Sequence, residues 1–133
     1  MGGAPIINSQ YDGSTPLPAM QPLFRRHPVG AGSIIAMQLL TKALRESLPG
    51  LYSQEELGLA ALARVKFFMP DFHWTWYASE FDGQDTFFGL VKGDCTELGY
   101  FTLSELEGMR GCLGMPMERD LYFRPTPLQE LMR

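Results

Sequence analysis

No apolar run in this 133-residue sequence approaches the roughly 20 residues that a helix needs to cross a bilayer. The N-terminus has neither the basic start nor the apolar stretch of a secretory signal. Met1-Gly2 opens like a myristoylation site, but Ile6 stands where that motif requires Ser or Thr. These absences point to the cytoplasm. Cysteine is scarce as well: Cys95 and Cys112 fit no C-x-x-C spacing and are expected as two reduced thiols. The only histidines are His27 and His73, and no zinc-ligand spacing joins them to the cysteines. Basic residues are thin where a phosphate-binding surface would need them. Between Glu55 and Glu107, ten acidic residues face three basic ones, an excess that suits a basic protein partner or plain solubility.

What the chain does have is aromatic density. Residues 64–101 hold 11 of its 16 aromatic residues, so this stretch is either a packed sheet or an exposed binding surface. The length allows one domain with one modest core. Residues 1–32 carry five prolines and five glycines without helical or strand periodicity, and read as an irregular or disordered arm. The domain proper is expected over residues 33–133.

Ser33 predicts the cap of a longer helix over residues 33–48, with Met37, Leu40, Leu44 and Leu48 at helical spacing and Pro49-Gly50 as its stop. Ser53 and Glu56 form a candidate capping box for a short helix that Gly58 weakens. Strand character follows over residues 65–69, 74–81, 86–91 and 98–101, separated by Pro70-Asp71, Asp82-Gly83 and Gly93-Asp94. Three tight connections predict an antiparallel meander of four strands, with residues 120–123 as a fifth strand at the edge. Thr102 and Glu105 make a capping box for a short helix over 103–109. Thr126-Pro127 with Gln129 opens a last helix, Thr126 being its cap. The expected fold class is therefore a single α+β domain, its sheet packed by one longer N-terminal helix and short helices.

Alternation puts Trp74, Trp76 and Ala78 on one face of the second strand and Tyr77, Ser79 and Phe81 on the other. The adjacent pairs Phe67-Phe68 and Phe87-Phe88 give both faces large aromatics, which favours a covered core over an open platform. Any part left uncovered would be a binding surface. There Trp74, Trp76 and Tyr77 are the candidate anchors, and Glu80, Asp82, Asp85 and Asp94 would steer a basic partner. Arg119 and Asp120 are expected to tie the loop GCLGMPMERD to the sheet by an ion pair. The leading reading is a non-enzymatic protein-interaction module without cofactor or metal. An alternative stacks single-stranded nucleic acid on the same aromatics, against the sign of the acidic rim. A second alternative is an enzyme using His73 with Glu80 or Asp71, or Cys112 with His73, although nothing in Gly111-Cys112-Leu113-Gly114 activates a thiol. The acids Glu80, Asp82, Asp85, Asp94 and Glu97 could together ligate a divalent cation, but they form no D-x-D-x-D-G loop and turn chemistry accounts for them.

Several segments also carry a family likeness: LLTKAL at 39–44, VKFFM at 65–69, residues 74–91, ELGYFTLSELE at 97–107 and GCLGMPMERDLYFRPTPL at 111–128. In order and spacing the chain resembles a small bacterial family of domains of unknown function, common on plasmids and integrative conjugative elements. The likeness runs from about residue 37 to the end, so residues 1–36 read as an extension. It implies no catalytic or ligand residues. What it does imply is an accessory role on a mobile element, in conjugation, plasmid maintenance or countering host defence.

Overall fold

Alternating apolar residues between turn-forming pairs dictate most of the sheet. A computed structural model of the chain describes residues 37–133. The expected arm over 1–32 and the Ser33 cap lie outside the described residues. The main sheet is antiparallel and has five strands. Four of them, β2 (Val65–Phe68), β3 (Thr75–Phe81), β4 (Thr86–Lys92) and β5 (Thr96–Thr102), follow one another as the expected meander. The β3–β4 turn forms because Gly83 takes a left-handed φ of 87° and Asp82 Oδ1 accepts the N–H groups of Gln84, Asp85 and Thr86.

The fifth strand is not residues 120–123. It is β6 (Glu118–Arg119), paired with β2 at the edge. Asp120 ends the strand: its N–H still reaches Lys66 O, while its own Oδ1 accepts Tyr122 N–H and turns the chain away. A second, two-stranded sheet pairs β1 (Leu62–Ala63) with β7 (Thr126–Pro127). Thr126 therefore belongs to a strand and does not cap the last helix. Its hydroxyl donates to Arg124 O, and α3 (Leu128–Leu131) starts from Pro127 without a side-chain cap.

The first helix, α1 (Lys42–Ser47), is shorter at its start than the periodicity predicts. Arg119 Nη1 donates to the carbonyls of Gln38 and Leu39, 2.8 Å to each. Those oxygens would otherwise accept from Lys42 and Ala43 in a longer helix. Thr41 becomes the cap instead, accepting Leu44 N–H. By contrast α2 (Leu103–Gly108) has the predicted capping box, with Thr102 and Glu105 bonding reciprocally. The Ser53–Glu56 box is absent: Ser53 Oγ donates back to Gly50 O, and a 3₁₀ helix over Glu55–Ala60 is kinked at Gly58.

Both sheet faces are covered. On one, Trp76, Phe67, Phe87 and Phe101 cluster with Leu40 and Leu48 from around α1 and Leu103 and Leu106 of α2. On the other, Tyr77 and Leu90 pack with Ala61, Ala63 and Leu128, flanked by Leu59, Phe123 and Leu131. Each fully buried phenylalanine contributes roughly 1.5–3 kcal/mol relative to remaining exposed.

A bulge changes which residues share a face. The β3–β4 register slips between Ala78 and Glu80, leaving Ser79 as the extra residue, its Oγ donating to Leu62 O. Downstream of it the alternation changes phase. Phe81 moves to the face of Trp76, with its ring 4.6 Å from that of Phe87, and Glu80 turns to the face of Tyr77, opposite Phe88. The simple alternation that grouped Tyr77, Ser79 and Phe81 is therefore corrected by this one extra residue.

Candidate functional site

The turned Glu80 organises the candidate site. After α1, Pro49 and Gly50 redirect the chain, and Pro49 O accepts Phe81 N–H, docking the turn against the bulged end of β3. Tyr52 then adopts a left-handed φ of 69°. Such a backbone costs a residue with a Cβ of order 1–3 kcal/mol. It is held there by Glu80, whose two oxygens accept Tyr52 N–H at 2.8 Å and Gln54 N–H at 2.9 Å. Glu80 itself is only 4% exposed, and among the described residues no ion pair to a cation involves it. Burial pushes its carboxyl above the ordinary range against the two N–H groups that lower it, and the Glu55 charge adds to the rise.

Aromatic rings complete the corner. Tyr52 stands 53% exposed, its ring edge-on to buried Tyr100 of β5 with centroids 6.4 Å apart. Phe88 of β4 packs behind Tyr100 at 5.4 Å. Burial raises Tyr100 above the usual phenol range, with the neighbouring Tyr52 hydroxyl and then the Glu80 and Glu55 charges acting in the same direction. Leu57, also 53% exposed, follows on the 3₁₀ helix between the acids Glu55 and Glu56 and the kink. Tyr52 and Leu57 are thus both half-exposed, on a segment that also carries Glu55 and Glu56.

The residues singled out from sequence are placed differently. Trp76 is fully buried, Trp74 and Tyr77 nearly so, and none of the three is offered to a partner. The elements on both faces enclose them: Tyr77 packs on Phe123 at 5.6 Å, and the Trp74 ring fills the space where a Gly93 side chain would stand. Three of the acids expected to steer a partner have local tasks. Glu80 holds the Tyr52 turn, and Asp82 closes the β3–β4 turn. Asp85 accepts Ser104 N–H and Oγ–H, securing the start of α2. Asp94 remains exposed, 3.5 Å from Nε2 of His73, which is exposed as well. Arg119 makes no ion pair with Asp120. It bonds the Gln38 and Leu39 carbonyls, and Asp120 pairs with Lys66 at 3.5 Å.

The enzymatic pairings are not assembled as drawn. His73 meets Asp94, whereas Asp71 accepts the N–H groups of Leu113 and Met115 and braces their loop. Cys95 and Cys112 are free and exposed. Among the described residues no group of three His, Cys, Asp or Glu side chains is placed to hold a metal ion, and no helix is long and apolar enough to cross a membrane. Tyr52, Glu55, Leu57 and Tyr100 were not reached from sequence. The available signal was Glu80 itself, a lone acid within a strand of aromatics and small residues.

No curated protein and no solved structure matches the chain. A family model described as "Protein of unknown function (DUF2958)" matches residues 39–131, a span that contains every described helix and strand. On that match the chain belongs to the DUF2958 family.

Proposed function

We propose that this domain is a non-enzymatic protein-interaction module that docks a basic partner at the corner formed by Tyr52, Leu57, Glu55 and Tyr100. In the mobile-element setting that the sequence resemblance implies, such a module would serve as an accessory protein. The observation that carries the reading is Tyr52. The fold holds this ring half-exposed on a strained backbone, where glycine would sit without cost, and uses a buried carboxylate to do so. The surrounding acids supply charge complementary to a basic surface. The aromatic sheet is not the contact surface in this reading, because both of its faces are occupied by the protein's own core.

The test is site-specific photo-crosslinking in the native cells, with p-benzoylphenylalanine at position 52 and, as control, at exposed position 124. A discrete adduct at position 52 alone, joined to a lysine- and arginine-rich polypeptide segment, is the expected result. No adduct above the control, or an adduct to nucleic acid, would overturn the interaction reading.

A further inference from the structure

The described charge around Tyr52 is unbalanced. Glu80 is buried as a carboxylate held by two backbone N–H groups, with Glu55 close enough to raise its proton affinity and that of Tyr100. Neither acid has an ion-pair partner among the described residues. An arginine already stacks on an aromatic ring nearby: Arg45 lies over Phe81, 5.2 Å from its centroid, and donates to Gly83 O. Phe81 follows Glu80 in the chain but faces the opposite side of the sheet, so Arg45 serves that face. Tyr52 and Tyr100 have no described counterpart to it.

Resting on the interaction reading above, we infer that the Tyr52–Tyr100 corner is a subsite for one guanidinium group, an arginine side chain of the partner protein. The half-exposed Tyr52 ring offers a face on which a planar cation can stack. Glu55, whose N–H donates to Tyr52 O at 3.2 Å on the same turn, supplies a carboxylate for the cation's N–H fork. Glu80 is too enclosed to pair directly, since its oxygens are bonded to the Tyr52 and Gln54 N–H groups, and its charge acts on the corner from within. A lysine ammonium would use the same charge without the planar match, and a neutral ligand would use neither.

The probe is methylguanidinium chloride, titrated into the full chain with ¹³C-labelled tyrosine rings and glutamate carboxyls observed by NMR. Methylammonium and methylurea serve as comparisons at matched ionic strength. Methylguanidinium is expected to shift the Tyr52 and Tyr100 ring signals saturably, methylammonium more weakly, and methylurea not at all. Saturation should also move the Glu80 titration to lower pH, since a nearby cation favours the carboxylate. Glu55→Gln, a change at a partly exposed side chain that leaves the fold intact, should weaken binding roughly two- to fivefold. Tyr52→Phe should retain it, because the ring face is kept. Equal responses to all three probes, or an unmoved Glu80 titration, would overturn the guanidinium assignment. A polypeptide crosslink at position 52 with a flat methylguanidinium titration removes this assignment alone, whereas loss of the crosslink removes the interaction reading beneath it.

Discussion

Glu80 shows how one side chain can shape both a turn and a surface. Its two oxygens are each engaged by a backbone N–H from a segment 26 to 28 positions earlier. Replacement by glutamine keeps the shape but leaves one of those N–H groups facing an amide NH₂, a loss of about 1–3 kcal/mol. The pH dependence has a definite sign. The folded carboxyl binds its proton more tightly than the unfolded one, whose ordinary value is 4.5. Its contribution to stability is therefore greatest below that value and is lost as pH rises through the raised folded value. Glu80→Gln has no such proton. The stability gap between the wild type and Glu80→Gln should thus be widest below pH 4.5 and narrow towards neutrality, as read by urea denaturation across that range. A gap that widened with pH would contradict this account of the carboxylate.

At the scale of elements, the bulge in β3 does what no single side chain does. It puts Phe81 into one core and Glu80 beside the Tyr52 turn within two successive residues. Gly89 opposite it is part of the arrangement. A Cβ there would stand 1.8 Å from Tyr77 O, a backbone atom in the middle of the sheet that cannot swing aside. Gly89→Ala should accordingly destabilise the fold at or above the upper end of the roughly 1–3 kcal/mol typical of overpacking. Gly108→Ala, where a Cβ meets nothing within 4 Å, is the matched control and should change the thermal midpoint little. If both variants melted alike, the close approach would not constrain β4. The start of α2 and the β3–β4 turn were legible in the sequence because Thr102, Glu105, Asp82 and Gly83 act on neighbours only a few positions away. The bulge was not, since the residues that admit it lie on three separate segments.

At the scale of the whole molecule, the described residues 37–133 form a sheet covered on both faces. Trp74 and Trp76, the only tryptophans, are inside it. Their fluorescence should therefore resist iodide quenching in the native state and become quenchable in denaturant. A single-stranded oligonucleotide should leave it unchanged even at low salt. Strong native quenching by either agent would mean that a sheet face is open after all. The two-sided aromatic pattern already favoured this sealed arrangement. It did not reveal which elements cover each face: that depends on α1 and α2 on one side and on β1, α3 and Phe123 on the other.

The sequence by itself determined the meander, its turns and the capping box of α2, because alternation and turn chemistry operate between near neighbours. Only the tertiary structure decided the start of α1, which depends on an Arg119 side chain 80 positions away from Leu39. It likewise decided the phase of β3 beyond Ser79 and the exposure of Tyr52. The density of aromatics made them the candidate binding surface. Burying them is what stabilises the sheet, so the proposed contact passes to the half-exposed tyrosine whose turn Glu80 holds.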